Sequence, residues 1–196
     1  TKFFLAVNYF GNIQDFDRIK EFCKKNKLLY FEDNAHGHEG VYKDKKLGTF
    51  GDIGFSSPRK FIDIYSGGVL YNNINLKMDQ NFNQNVYSSS DFLFPIKKYL
   101  NNYPKIKNSI KKIINKKPNY LDPSDFKEGI IKDCIIDKKS KDKILNTNWK
   151  EISKLRVQNY YKWSKFCQKK KYNAVFKSIE ESVNPWCYPV YIDNHL

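Results

Sequence analysis

"LLYFEDNAHGHEG", residues 28–40, decides the fold. Leu28, Leu29, Tyr30 and Phe31 run without a break into Glu32 and Asp33, and two of the chain's three histidines, His36 and His38, follow at once. An unbroken apolar run that stops at acids and glycine reads as a strand buried on both faces, the habit of parallel sheets. A second such run, "KFFLAVNYFG" (2–11), lies upstream. Between them "NIQDFDRIKEFCKKNK" (12–27) places Ile13, Phe16, Ile19, Phe22 and Cys23 on one helical face. Strand, helix and strand imply a parallel pair joined by a right-handed crossover. Ligands gather at the carboxyl ends of such strands, and "EDNAHG" sits at one.

Further along, "GVYKDKKLGTFGD" (40–52) reads as a glycine-punctuated loop or hairpin. "DIGFSS" (52–57) reads as a short strand, "PRKFIDIYSGG" (58–68) as irregular chain, and "GGVLYNN" (67–73) as another strand. A polar loop is expected over 81–91, helices broken near Pro95 and Pro104 over 91–117, and a loop over 119–129. A long helix is expected over 148–170, with Ile152, Leu155, Asn159, Trp163 and Phe166 in phase. "PWCYPVYIDNHL" (185–196) opens a further strand. The division is therefore 1–76, 77–147 as a loop and helical connection, and 148–196. The first strand starts at residue 3 and the last ends with the chain, so the expectation is one part of a larger protein.

Composition narrows the classes. Hydrophobic residues make up 40%, with 14 Tyr and 15 Phe, enough for a packed core. The sequence carries no signal-peptide pattern and no apolar run long enough to span a bilayer. Cys23, Cys134, Cys167 and Cys187 are far apart, which favours neither a zinc site nor a disulfide framework and makes a reducing cytoplasm the default. The net charge of +14 suggests a polyanion, yet the cations are 32 Lys and 3 Arg, beside 21 Asn. That is a general Lys/Asn bias, whereas nucleic-acid readers draw on Arg for bidentate contacts. No nucleic-acid partner is expected.

The order of the motifs carries the chemistry. Strand, Asp33-x-x-His36, glycine-rich loop, strand, Ser57-x-x-Lys60 and Gly67-Gly68 strand follow one another. This order resembles fold-type-I pyridoxal-phosphate enzymes of the aspartate aminotransferase superfamily, and most closely the DegT/DnrJ/EryC1/StrS sugar aminotransferase family. The likeness runs from "AVNYFG" through "YFEDNAHGHEGVYKDKKLGTFGDIGFSSPRKF" to "SGGVLYNN", and more weakly into "KLRVQNYYKW" (154–163) and "PWCYPVYID" (185–193).

The resemblance implies an α/β fold class. Residues 1–76 become the later part of a PLP-binding large domain with a mostly parallel sheet, and 148–196 the start of a small α+β C-terminal domain. It implies pyridoxal 5′-phosphate as cofactor, Asp33 against its ring nitrogen, and His36, where the sugar enzymes often have Gln, against its ring or 3-hydroxyl. Lys60 becomes the catalytic lysine of the internal aldimine, and Ser57 or Ser56 the hydroxyl on the phosphate. This segment is a residue shorter than the commoner family spacing, so both serines stay open. Arg59 faces either the phosphate or solvent. The implied reaction moves an amino group from an amino acid to a keto sugar, nucleotide-linked, in a homodimer or with a complementary N-terminal half.

Competing expectations are a non-catalytic or split-gene piece of the same fold, and a metal site built from Asp33, His36 and His38. A penicillin-recognising Ser57/Lys60 pair lacks the Lys-Thr-Gly strand that class needs.

Overall fold

The computed structural model describes residues 2–64, 67–77, 136–180 and 182–192. Residues 1–78 and 139–196 form one unit, and residues 79–138 a second. The loops and helices expected over 81–129 lie outside the described residues.

The β-α-β unit forms. Strand β1 (Phe3–Val7) pairs in parallel with β2 (Leu29–Asn34), Leu5 opposite Phe31 and Val7 opposite Asp33. Helix α1 (Phe16–Lys25) starts where Asp15 Oδ1 accepts the Arg18 N–H at 3.1 Å, and ends with Lys24 and Lys25 in its last turn. Both ends suit the helix dipole and its unpaired N–H groups. Phe16 and Cys23 are its buried residues. Phe22, expected on that face, is exposed, because it sits at the edge of the stripe and meets only the rim of Phe4, 5.7 Å between ring centres.

The glycine-punctuated stretch is a hairpin of β3 (Val41–Tyr42) and β4 (Lys45–Lys46). Strand β5 (Ile53–Ser56) joins the far side of β2 in parallel, and β6 (Val69–Asn72) runs antiparallel to β5, giving the order β1-β2-β5-β6. The sheet is mostly parallel, as expected.

Strand β2 alternates cleanly. Tyr30, Glu32 and Asn34 are buried, while Leu29 is exposed and Phe31 and Asp33 are half-buried. Register puts Phe3, Leu5, Leu29, Phe55 and Leu70 on the second face, and of these Phe3, Leu5, Leu29 and Leu70 are exposed. Parallel sheets are normally covered on both sides; among the described residues this one is covered on one.

Beneath the covered face lies Glu32, fully buried. Its Oε1 accepts from the Asn8 side-chain amide at 2.9 Å and the Gly48 N–H at 2.6 Å, and its Oε2 from the Phe50 and Gly51 N–H groups at 2.7 and 3.2 Å. One carboxylate thus ties the end of β1 and the 48–51 loop to β2. The loop lies so close that a Cβ on Gly54 would strike the Gly48 carbonyl oxygen, so β5 needs glycine there.

Helix α2 (Lys138–Asn146) leads into α3 (Trp149–Lys169), which Asn148 caps by accepting the Glu151 N–H at 3.2 Å. Strand β7 (Asn173–Ala174) pairs antiparallel with β8 (Val190–Tyr191). The stripe expected to pack α3 is not the packed one. Tyr160 and Cys167, two turns apart, are buried, while Leu155, Trp163 and Phe166 are exposed. The helix carries apolar residues on two faces, and periodicity alone does not say which finds a partner. One core joins both ends of the chain, with Ala6, Phe16, Tyr30, Leu47 and Phe50 meeting Tyr160, Ile179 and Val183.

Replacing Glu32 by Gln sets an amide NH₂ against backbone donors and strands at least one of them. The expected cost is about 3 kcal/mol, read as a lower denaturant midpoint with an unchanged slope. A loss under about 1 kcal/mol would contradict the role given to this carboxylate.

Candidate active site at the strand ends

Asp33 closes β2 on the less covered face, half-buried, and its Oδ1 accepts the Ala35 N–H at 2.8 Å, which orients the carboxylate. His36 follows in the turn. Its Nδ1 accepts the Phe10 N–H at 3.2 Å, so this nitrogen carries no proton and Nε2 is left as the donor. Phe10 presents that N–H from a left-handed backbone, φ 58°. Burial lowers the His36 pKa, the positive charge of Lys60 lowers it further, and Asp33 opposes both. The imidazole therefore stays neutral at pH 7 and senses Lys60 and Asp33 together.

Lys60 ends the short 3-10 turn Pro58–Lys60 that follows β5. Its Nζ lies 5.1 Å from the centre of the Trp186 ring, a cation–π contact. Trp186 also stacks on His36, 4.4 Å between ring centres and 22° between planes. The indole therefore lies against both groups. Its backbone is fixed from several sides. The Trp186 N–H donates to the Phe10 carbonyl at 2.9 Å, and Arg156 Nη1 donates to the carbonyls of Pro185 and Trp186, each at 3.1 Å. The same guanidinium reaches the Lys60 carbonyl through Nη2 at 3.4 Å and packs on the Phe61 ring. Gly11, φ +84°, lets this segment approach, since a Cβ there would lie 2.6 Å from the Asn184 carbonyl oxygen and 2.7 Å from that of His36.

The two serines separate. Ser56 is buried, its Oγ hydrogen-bonded to His38 Nδ1 at 2.7 Å and to the Tyr71 hydroxyl at 3.3 Å. Ser57 is half-buried and its side chain makes no capping bond. Ser56 thus already has two side-chain partners. Arg59 is exposed, and Asn8 is buried against Glu32 and Asn34.

His38 is a core histidine. It stands edge-on to Trp149 at 4.4 Å, and burial pushes its pKa down to about 4. The expected alternative of a metal held by Asp33, His36 and His38 fails, because the two imidazoles turn to different partners. Among the described residues no group of three His, Cys, Asp or Glu side chains could hold a metal. Nor, among them, is any helix long and apolar enough to cross a membrane.

The sequence analysis placed Asp33, His36 and Lys60 at the strand ends but did not single out Trp186 or Arg156. Both lie on segments far along the chain, and no local spacing links them to the site.

Residues 1–81 match the model of the DegT/DnrJ/EryC1/StrS aminotransferase family. They include Asp33, His36, Ser56, Ser57 and Lys60, and exclude Arg156 and Trp186. Among curated relatives, the chain is 36% identical over 75 residues to a GDP-perosamine synthase of Escherichia coli O157:H7, covering 37% of this chain and 21% of that protein. It is 30% identical over 67 residues to the L-glutamine:2-deoxy-scyllo-inosose aminotransferase of Streptomyces kanamyceticus, covering 34% and 16%. Among solved structures it is similar to PseC of Helicobacter pylori, an aminotransferase of pseudoaminic acid biosynthesis, at 28% identity and a TM-score of 0.33, covering 37% of this chain and 20% of that one. The matched part spans about a fifth of the length of these relatives.

The buried His38 gives the fold an acid-sensitive part. The unfolded imidazole takes its proton near pH 6.5, the folded one only near 4. Between these values the unfolded state binds more protons, so stability falls as pH drops through this window, by on the order of 3 kcal/mol. Unfolding midpoints at pH 7 and at about pH 4.5 should show the parent losing about 2 kcal/mol more than His38→Gln. Equal losses would remove His38 from the account.

Proposed function

We propose that this chain is the strand-end part of a PLP-dependent aminotransferase that moves an amino group from an amino acid to a keto sugar, nucleotide-linked. The observation that carries the reading is the convergence of a carboxylate, a neutral imidazole and a lysine amine at the carboxyl ends of β2 and β5, inside the family segment. The names of the relatives, a GDP-perosamine synthase and an aminotransferase acting on a cyclitol ketone, support the substrate class.

The donor set fits the cofactor chemically. Pyridoxal phosphate, when bound, supplies a carbonyl that accepts an amino group and a protonated ring that stores an electron pair. Asp33, oriented through the Ala35 N–H, is the carboxylate to keep a proton on the ring nitrogen. His36, its Nδ1 already committed, offers Nε2–H to a ring hydroxyl or its face to the ring. The Lys60 amine is the nucleophile and the proton carrier at the substrate α-carbon. Ser57 is the hydroxyl within reach of a phosphate without breaking an existing bond; Ser56 serves by holding His38. Residues 1–76 then form the later part of the cofactor-binding domain, and 148–196 the beginning of the small C-terminal domain.

A second reading is favoured by the open sheet face, on which Phe3, Leu5, Leu29 and Leu70 are exposed. An apolar sheet face of this kind calls for a cover. The chain then works only with a complementary N-terminal half, or a second copy, laid against it.

Added pyridoxal phosphate should give the purified chain a visible absorbance band, lost in Lys60→Ala and shifted or weakened in Asp33→Ala. A band of equal strength in parent and Lys60→Ala would assign the colour to surface lysines and sink the reading. No band in the parent, restored by a complementary half, would select the second reading.

A further inference from the structure

The indole of Trp186 occupies space that matters. One face lies on His36, 4.4 Å away and nearly parallel, and the Lys60 ammonium sits 5.1 Å from its centre. A planar aromatic ligand using that face of His36 would meet the indole already there. The contact is built in. Arg156 grips the Pro185 and Trp186 carbonyls with one nitrogen and the Lys60 carbonyl with the other. Ser182 is bound twice to Val41, its Oγ donating to the Val41 carbonyl at 2.7 Å and its carbonyl accepting the Val41 N–H at 2.8 Å. Asn184 donates to the His38 carbonyl at 2.8 Å. The segment is anchored up to and including the Trp186 backbone, yet Trp186 remains 39% exposed. Beyond it lies a groove of about 870 Å³, bounded by Arg156, Trp163, Phe166, Trp186 and Tyr188. That volume accommodates an indole turned away from the site.

We propose that Asn184–Cys187, clamped by Arg156, is a cover over Lys60, with Trp186 as a plug that must swing toward the groove on α3 before a planar ring can stack on His36. The inference rests on reading His36 and Lys60 as ligand-binding groups. It assigns a regulatory role to two residues outside the family segment. The plug imposes a population cost. If the open form is a small fraction of the molecules, apparent affinity falls by that fraction, and removing the plug recovers it. The same indole lies against the Lys60 amine and shields it from carbonyl compounds.

Pyridoxine 5′-phosphate is the probe, because it has the ring and the phosphate but no aldehyde, so its binding reports stacking without any bond to Lys60. Its dissociation constant would be measured by titration for the full chain, for Trp186→Ala and for Arg156→Gln. Separately, the rate at which formaldehyde and cyanoborohydride methylate Lys60 would be read by peptide mass spectrometry against the exposed Lys24. Both variants should bind the probe about tenfold or more tightly than the parent and methylate Lys60 several-fold faster relative to Lys24. Arg156→Gln loosens the clamp and leaves the indole in place, so it tests the cover if Trp186→Ala melts early. Weaker binding in Trp186→Ala would make the indole a stacking partner and overturn the plug, as would unchanged binding and unchanged methylation. Faster methylation with no probe binding in any variant would uphold the cover and bring down the cofactor reading.

Discussion

Everything at the strand ends depends on the Glu32 carboxylate. It is fully buried and takes four hydrogen bonds, three from backbone N–H groups of one loop and one from Asn8. A buried charge of this kind is tolerable only when its lone pairs are filled. Here filling them fixes the 48–51 loop, and with it the start of β5 and the turn that presents Lys60. Asp33, the next residue along, points to the opposite face by the two-residue repeat of a strand. Two adjacent acids therefore do different work: one braces the scaffold, the other faces the candidate site.

The two histidines divide in the same way. His38 goes inward to Ser56, which also bonds the Tyr71 hydroxyl, and stands edge-on to Trp149. His36 stays at the rim, where the Phe10 N–H sets its tautomer and burial, with the charge of Lys60 behind it, lowers its pKa. The question raised by four polar residues in so short a stretch thus has a layered answer. Two of them hold the stretch in place, and two face outward at the end of β2.

Much of this was legible in the sequence. The apolar runs that became β1 and β2 fix a parallel pair with little ambiguity, and the short "DIGFSS" run marked β5. The order Asp33, His36, Lys60 placed the candidate site at the right end of the sheet. The rest was not legible, for physical reasons. Which face of a doubly apolar helix packs depends on what the chain brings against it, so Tyr160 and Cys167 displaced the expected stripe on α3. Ser56 is engaged by a side-chain bond to His38 that spacing cannot reveal. Trp186 and Arg156 reach the site only through folding of segments 96 or more residues beyond Lys60, where a lone Trp and a lone Arg carry no periodic signal.

The central claim is that Lys60 is the residue that meets a carbonyl at the end of β5. The most direct measurement is to treat the purified chain with pyridoxal phosphate, reduce with borohydride, and locate the attached pyridoxyl group by peptide mass spectrometry. The account predicts attachment concentrated on Lys60 at low reagent concentration, weakened when Asp33 is replaced. Attachment spread over the many surface lysines, with Lys60 no more modified than the rest, would contradict it.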